Sequence, residues 1–152
     1  MTFETAKQFI DYLLSGSIKR SKKIILEFIG GEPLLEIELT DKVCDYFKLK
    51  TFEMKDDWYW NYRISICSNG LLYGDSKVQN FIQKNENKLS LAISIDVDKV
   101  KHDLNRVKLN GSGSYDDIMK IFPFWKKQFI PMTKATFSSS DIQYLKNSII
   151  SL

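Results

Sequence analysis

The sequence has two cysteines, one histidine and no long apolar run, and each shortage excludes a class of protein. Cys44 and Cys67 form no CxxC or other metal-ligand spacing, so we expect free thiols, as in a cytosolic protein. No apolar stretch reaches the roughly 18 residues that a membrane span requires. The polar residues after Met1 do not resemble the basic segment and apolar core of a signal peptide. We therefore expect a cytoplasmic protein with no membrane partner.

The chain also has little excess charge. Its 22 basic and 19 acidic residues give a net charge of +3, which does not favour nucleic acid as a partner. The basic cluster Lys19–Lys23 is interpreted as the solvated start of a strand. A phosphate-binding patch is the alternative, although the cluster lacks interleaved aromatic residues. With 152 residues, of which 43% are apolar, the chain can fill the core of one domain spanning residues 1–152.

Hydrophobic periodicity predicts one helix followed by four strand–helix pairs. Thr2 is placed to cap the first helix, whose apolar stripe consists of Phe9, Ile10, Leu13 and Leu14. The predicted strands are Ile24–Ile29, Tyr62–Ser68, Leu89–Ile95 and Pro131–Phe137. Apolar stripes predict the following helices around Leu39–Phe47, Val78–Ile82, Ile118–Phe122 and Ile142–Ile149. This alternation implies a parallel sheet with helical crossovers, hence an α/β fold.

The connections between these elements carry further expectations. Lys48–Asn61 is predicted as a polar and aromatic connection, and its Trp58–Trp60 segment either covers a sheet edge or contacts a peptide. A long loop is predicted after Ile95, up to a Ser114 that resembles the start of a capping box. Pro123 is expected to kink or end the helix after it. The last helix is predicted over Asp141–Leu152.

Two strands alternate between apolar residues and small or polar ones. The small polar face consists of Ser65 and Cys67 in the second strand, and of Ala92, Ser94 and Asp96 in the third. A parallel strand that is covered on both faces is usually apolar throughout. The polar faces therefore line either the cavity of a barrel or a sheet with one solvated face.

The segment IILEFIGGEPLL, Ile24–Leu35, predicts a buried strand that ends in a loop of two glycines, a glutamate and a proline. Gly30 and Gly31 remove side chains where a close approach to peptide groups is needed, and Pro33 permits a helix to start. An ordinary strand-to-helix turn explains the same residues. The carboxyl ends of parallel strands share one edge, where ligands bind. Three further stretches are predicted at or just after such ends: Ser68–Gly70, Ser94–Asp96 and Lys101–Arg106.

Taken as a whole, this segment resembles the GGEP motif of radical S-adenosylmethionine (SAM) enzymes. The stretches ISICSNGLL and LAISIDVDKVKHDLNRVKLNGSGSYDDIM follow it in the order and spacing typical of that family, most specifically within Phe28–Asp117. They are most similar to the subfamily that matures sulfatases and ribosomally made peptides. The resemblance implies a partial (βα) barrel with SAM as cofactor. It also implies a peptide or protein substrate modified through a 5′-deoxyadenosyl radical.

The resemblance further implies roles for individual residues. Backbone groups of Gly30, Gly31 and Glu32 are expected to hold the SAM ammonium group. Ser94 and Arg106 match family positions that contact the methionine carboxylate or neighbouring polar atoms. A guanidinium suits a carboxylate because its planar fork donates two parallel hydrogen bonds.

The residues themselves leave alternatives open. Arg106 can instead pair with Asp103 or Asp96, and Ser94 can be a barrel hydroxyl with no ligand. Asn69 either serves the ligand or makes the turn with the glycine that follows it, and we favour the turn. Asp96 either holds Arg106 or faces the substrate.

One requirement of the resemblance is missing. A radical SAM enzyme holds a [4Fe–4S] cluster through the cysteines of a CxxxCxxC motif, and neither Cys44 nor Cys67 can replace it. His102, the single histidine, is interpreted as structural because no nucleophile partner is evident. We therefore expect a fragment that lacks the first strand with its cysteines and the C-terminal part of the barrel. Such a piece needs the missing portion of the same enzyme as its partner and is inactive alone. The alternatives are a non-catalytic α/β binding module that kept the SAM-like edge, and a nucleic-acid binder using Lys19–Lys23 and Trp58–Trp60.

Overall fold

A computed structural model describes residues 1–96, 98–140 and 142–146. In chain order its helices and strands are α1 (Phe3–Leu14), β1 (Ile24–Phe28), α2 (Ile37–Glu53), β2 (Tyr62–Ser68), α3 (Ser76–Asn85), β3 (Leu89–Ser94), α4 (Lys99–Asn105), α5 (Tyr115–Gln128) and β4 (Thr133–Lys134). Short 3₁₀ helices cover Pro33–Glu36, Asp57–Tyr59 and Ile142–Tyr144. In this part of the chain, no helix combines the length and the apolar character needed to cross a membrane.

The strands of the described residues form one four-stranded sheet in the order β1-β2-β3-β4. β1 and β2 run parallel, with Ile24 opposite Tyr62 and Phe28 opposite Ile66. β3 and β4 also run parallel, with Ile93 opposite Thr133. The predicted α/β fold with parallel strands and helical crossovers is therefore confirmed.

The chain divides into two compact units. The first unit comprises Met1–Ile66 and Ser76–Ser90, and the second comprises Cys67–Asp75 and the described residues from Leu91 onward. In the first unit, Phe47 of α2 packs between two aromatic rings, with centroids 6.5 Å from Trp58 and 5.5 Å from Tyr62. All three rings are buried, so they form the centre of this unit's core.

α1 begins as predicted, because the Thr2 hydroxyl accepts a hydrogen bond from the Thr5 N–H at 3.2 Å. Its predicted apolar face is wrong at one position, since Phe9 is exposed. The residues that α1 buries are Ala6, Ile10 and Leu14. A spacing of four keeps these side chains on one face, whereas Phe9 lies 100° from Ile10 around the helix.

The prediction that β1 is a buried strand is also wrong. Its residues alternate between half-buried and exposed, and Ile25 is 64% exposed. The physical reason is position, because β1 is the edge strand of the described sheet. The prediction for β2 is confirmed in both bounds and pattern, with Ile64 and Ile66 buried opposite half-buried neighbours.

α2 is longer than predicted and ends at Glu53, within the segment predicted to be a connection. The buried Thr51 helps to extend it, since its hydroxyl donates to the Phe47 carbonyl at 2.8 Å. The aromatic run that follows divides by environment. Trp58 is buried, with its indole N–H donating to the Ser21 carbonyl at 2.7 Å, whereas Trp60 is 74% exposed.

In the second unit, α5 continues through Pro123 to Gln128. The prediction that Pro123 could end this helix is therefore wrong. A proline inside a helix costs about 3 kcal/mol because it lacks an N–H and crowds the preceding turn. Contacts of the two residues that follow Pro123 help to offset this cost. The buried Trp125 donates its indole N–H to the Leu91 carbonyl at 3.0 Å, and Tyr73 packs edge-on against Phe124 at 5.6 Å.

β4 is shorter than the strand predicted over Pro131–Phe137. It consists of Thr133–Lys134 alone, held because Ile93 N–H donates to the Met132 carbonyl at 3.1 Å. Of the predicted last helix, the structure describes the 3₁₀ helix Ile142–Tyr144 and two α-helical residues after it, 145 and 146. Its other predicted residues, 141 and 147–152, lie outside the described part of the chain.

Candidate functional site

The loop after β1 presents bare peptide groups. Gly30 and Gly31 have φ angles of +93° and +55°, a left-handed region that costs any other L-residue roughly 1–2 kcal/mol. Both residues are exposed, and a Cβ atom built on either would meet nothing within 4 Å. The glycines are therefore needed for the backbone turn, and the space beside them is open to a ligand.

Glu32 and Pro33 connect this loop to the 3₁₀ helix that follows it. The Glu32 carboxylate accepts a hydrogen bond from the Leu34 N–H at 3.1 Å and so caps the 3₁₀ helix that Pro33 begins. Pro33 and Leu34 are buried. The loop is thus anchored to the start of α2, as the sequence predicted for the proline.

A cavity of about 380 Å³ lies in the first unit beside this loop. Three carboxylates, those of Glu27, Glu32 and Glu36, are among its lining groups. The rest of its wall comes from Met1, Phe28, Ile29, Gly30, Pro33, Leu39, Thr40 and Val43. Acidic side chains beside bare peptide carbonyls favour a ligand that carries an ammonium group or another positive charge.

In the second unit, Asp96 and Arg106 form an ion pair after β3. Arg106 Nε donates to Asp96 Oδ2 at 2.9 Å. The Asp96 side chain is 2% exposed and that of Arg106 is 25% exposed, so the carboxylate is the buried member and the guanidinium reaches the surface. Of the two alternatives for Asp96, the contact with Arg106 is the one that the structure shows, whereas a role toward the substrate stays a prediction. Of the two partners considered for Arg106, the structure shows Asp96.

Two further groups satisfy the other oxygen of Asp96. Oδ1 accepts from the Thr136 N–H at 3.0 Å and lies 3.3 Å from the buried Lys101 Nζ, which also donates to the Thr136 carbonyl. Burial opposes ionisation of Asp96. The hydrogen bonds from Arg106 and Thr136 outweigh it, and the pKa of the carboxyl lies below its ordinary value. Asp96 is therefore charged and held in one orientation at neutral pH.

His102 is buried beside this ion pair. Its Nδ1 atom accepts from the Asp96 N–H at 3.1 Å, and its Nε2 atom lies 2.9 Å from Ser114 Oγ. Burial, reinforced by the charge of Arg106, lowers the pKa of the imidazole. The prediction of a structural histidine agrees with these contacts.

Ser94 and Asn69 make local contacts in the same unit. Ser94, half-buried at the end of β3, lies with its hydroxyl 3.5 Å from Cys67 Sγ. Asn69 Oδ1 accepts from the Leu71 N–H at 2.9 Å, and Gly70 has a φ of +81°, so the predicted turn is confirmed. Gly70 also approaches Ile93 closely, since an added Cβ would lie 3.1 Å from its Cγ2 atom.

The two cysteines are free and differ in environment. Cys44 is buried, which raises the pKa of its thiol to about 12, whereas Cys67 is half-buried. Among the residues that the structure describes, no three His, Cys, Asp or Glu side chains are grouped to hold a metal ion. These residues do not fit the three thiolate ligands of a [4Fe–4S] cluster, so we derive no chemical step through such a cluster.

Sequence reasoning missed α4 and its buried Lys101. The segment was predicted as a loop, yet Asp98 caps it by accepting from the Lys101 N–H at 3.0 Å. The available signal was an Asp at the N-cap position, directly before the helical residues Lys99–Asn105. The predicted capping box at Ser114 is wrong, because the Asp103 carboxylate accepts from the Tyr115 N–H and starts α5 instead.

Three comparisons place the chain among known proteins. No protein-family model matches it. It is 31% identical to an uncharacterized protein of Methanocaldococcus jannaschii, over 98% of this chain and 48% of that protein. Its fold is similar to that of native anSMEcpe with bound AdoMet, a radical SAM anaerobic sulfatase-maturating enzyme, with a TM-score of 0.77 and 20% identity.

That similarity covers 99% of this chain and 39% of anSMEcpe. A second structure of anSMEcpe, with bound AdoMet and Kp18Cys peptide, gives a TM-score of 0.75 at 20% identity over 97% of this chain and 38% of that one. The chain thus spans about half the length of the curated relative and about two fifths of the solved structures. It has a parallel α/β fold similar to the partial barrel of these radical SAM structures.

Proposed function

We propose that this chain is the SAM-binding core of a radical SAM enzyme that modifies a peptide or protein. The observation that carries the proposal is the left-handed Gly30–Gly31 backbone after β1, where Gly30 lines the acidic cavity. The similarity in fold to anSMEcpe, solved with AdoMet and with peptides, supports both the cofactor and the class of substrate.

Each proposed SAM contact has a matching chemistry. Peptide carbonyls of Gly30, Gly31 and Glu32 are acceptors for the SAM ammonium group, and no side chain blocks the two glycines. Arg106 is assigned to the methionine carboxylate. Its ion pair with Asp96 uses Nε, so the Nη1 and Nη2 donors lie outside that pair. The Ser94 hydroxyl is assigned to the same carboxylate or to a polar neighbour.

SAM supplies the radical chemistry of such enzymes only together with an iron–sulfur cluster, whose ligands these residues do not provide. What the residues can do is bind and orient the amino-acid end of SAM. We propose that the CxxxCxxC ligands come from outside the 152 residues. Sequencing the DNA upstream of the codon for Met1 tests whether such a motif is encoded there in frame.

Calorimetric titration with SAM tests the binding role. We expect the wild-type protein to bind SAM, and Gly31→Ala to bind it at least about tenfold more weakly, because a methyl group enters the ligand's space on a strained backbone. Gly16→Ala is the matched control, since Gly16 also has a positive φ of +78° and open space around it. Equal losses of affinity in the two variants would contradict the assignment of the loop.

Anaerobic reconstitution with iron and sulfide tests the lack of cluster ligands. We expect no stoichiometric cluster by absorption and electron spin resonance, and no cleavage of SAM to 5′-deoxyadenosine. A full cluster with SAM cleavage from these residues alone would show that the ligand set has been misjudged.

A non-catalytic SAM-binding module is the second candidate function. The environment of the two cysteines favours this function, because Cys44 is buried and neither thiol belongs to an iron–sulfur cluster motif. The two candidates differ in their dependence on iron. Tight SAM binding that is unchanged by iron and sulfide, and by any added CxxxCxxC segment, identifies the module.

A further inference from the structure

α4 has an inverted pattern of burial. Its buried residues are Lys101 and His102, whereas the apolar Val100 and Leu104 are 61% and 63% exposed. A helix in a soluble domain usually buries its apolar stripe. The inner face of α4 is therefore held by polar contacts, and the position of each polar atom on that face has to be specified.

The hydrogen bonds of His102 specify one tautomer. Because the Asp96 N–H donates to Nδ1, that nitrogen carries no proton, so the proton of the neutral ring is on Nε2. Nε2–H then donates to Ser114 Oγ at 2.9 Å, and the Ser114 hydroxyl donates to the Arg106 carbonyl at 3.0 Å. Donors and acceptors match at every step of this chain.

This chain of hydrogen bonds joins the two members of the ion pair through their backbones. It begins at the backbone nitrogen of Asp96 and ends at the backbone carbonyl of Arg106, which also accepts from the Ser114 N–H at 3.2 Å. The side chains of the same two residues meet at 2.9 Å. Backbone and side-chain contacts thus form a closed ring, which holds the Arg106 backbone and its Nε atom in place.

We propose that His102 and Ser114 are positioning residues that hold the Asp96–Arg106 ion pair, and thereby aim the Arg106 guanidinium at an anionic ligand group. The proposal rests on the proposed function for the identity of that group, the SAM carboxylate. The positioning role can be tested on the protein alone, since all contacts of the ring are between atoms of this chain. Neither residue touches the cofactor in this proposal.

Protonation of His102 is the natural way to open the ring. An imidazolium carries a proton on Nδ1, which then faces the Asp96 N–H instead of accepting from it. Arg106 and Lys101 disfavour this protonation, and Asp96 and Asp103 favour it. The edge of the Tyr115 ring completes the surroundings, with its centroid 5.5 Å from that of His102.

Nitrogen NMR of the full chain tests the proposal without SAM. In the wild type we expect a protonated Nε2 and unprotonated Nδ1 on His102, and an Arg106 Nε–H signal protected from exchange, assigned by its absence in Arg106→Lys. In His102→Ala, exchange of that Nε–H should be about tenfold faster, which corresponds to the loss of one neutral hydrogen bond. Two variants each keep one of the lost contacts. His102→Asn keeps an acceptor for the Asp96 N–H, and His102→Gln keeps a polar group near the Ser114 hydroxyl. Each should therefore recover part of the protection that His102→Ala loses.

Trp125→Phe is the control for a purely structural effect, because it removes the indole bond to the Leu91 carbonyl in the same unit. It should lower stability with Arg106 Nε–H protection unchanged. If His102→Ala does not fold, acid titration of the wild type replaces it, and protection should fall as His102 gains its proton. The proposal is overturned if the Arg106 Nε–H of the folded His102 variants exchanges as slowly as in the wild type. It is also overturned if exchange in the wild type stays equally slow while His102 gains its proton.

A SAM titration of the same variants separates this proposal from the proposed function. We expect affinity to fall about tenfold in His102→Ala and to recover partly in His102→Asn. If the wild type binds no SAM, the proposed function fails while the NMR result still decides the positioning role. A third outcome is that SAM binds to the wild type and to His102→Ala with equal affinity, although the variant has lost the protection of the Arg106 Nε–H. In that case the ring holds Arg106, but Arg106 does not bind the SAM carboxylate.

Discussion

The loop after β1 and the segment after β3, which carry the proposed ligand-binding residues, are built in opposite ways. The first removes side chains, so that Gly30 and Gly31 expose their peptide groups on a left-handed backbone. The second uses buried side chains, since Asp96 pairs with the partly exposed Arg106 and its backbone N–H donates to the buried His102. A bare backbone needs only the right residue types in sequence, whereas a held side chain needs partners from several elements. The first is therefore open to prediction from sequence, and the second depends on tertiary structure.

The largest effect is expected from Asp96→Ala. The change leaves Lys101 buried without its carboxylate and frees Arg106, so we expect a loss of about 3 kcal/mol in the free energy of unfolding. Urea unfolding measures it. Asp116→Ala is the matched control, because Asp116 pairs with Lys99 at the surface and should cost less than about 1 kcal/mol. Similar losses in the two variants would remove the contrast between buried and surface pairs.

Gly30→Ala tests the other region and should cost roughly 1–2 kcal/mol, because an L-residue must adopt a φ of +93°. Gly30→Asn should cost less, since Asn tolerates the left-handed region better. Both values come from urea unfolding. Equal stability of all three proteins would mean that the loop adopts another backbone conformation.

Glu32→Ala should have a smaller effect, of about 1 kcal/mol, since it removes the cap from the Leu34 N–H. Glu32→Gln keeps an acceptor at the same reach and should retain most of the stability. Thermal unfolding of the pair measures the difference. If Glu32→Gln lost as much stability as Glu32→Ala, the negative charge in the acidic cavity, rather than the cap, would be the stabilising feature.

The smallest effect is a pH dependence that belongs to the segment after β3. The pKa of His102 is lowered on folding from its ordinary 6.5, so the unfolded chain binds this proton first. Stability should therefore be full above about pH 6.5 and fall as the pH drops toward the lower pKa of the folded state. His102→Gln should flatten this part of the profile in urea unfolding at a series of pH values. A profile that keeps its slope in the variant would assign the titration to another group.

Asp96 adds a second, more acidic phase. Its pKa is lowered on folding from 3.8, so its contribution is present above that value and is lost as the pH falls through the folded-state pKa. In Asp96→Asn this phase should disappear, while the His102 phase persists in weakened form. The loop after β1 gives a useful contrast, since its two glycines have no titratable side chain.

Several predictions failed at positions where distant residues decide. Ile25 is apolar and yet exposed, because β1 has a single neighbour in the described sheet. Pro123 lies inside α5, where the two residues after it are held by distant partners, Phe124 by the Tyr73 ring and Trp125 by the Leu91 carbonyl. The prediction that Gly113 lies in a loop is not contradicted, but the sequence did not show why a glycine is needed there: an added Cβ would lie 2.0 Å from the Asp103 carboxyl carbon.

The sequence by itself determined the order of the four strands and of the helices between them except α4, together with the Asn69–Gly70 turn and the glycine loop after β1. These depend on neighbouring residues and on the periodicity of apolar side chains. Only the tertiary structure decided that Asp96 pairs with Arg106, that His102 faces inward on α4 and that Lys101 is buried. A charged side chain can be buried only when its partners are already in place, and those partners come from segments far apart in the chain.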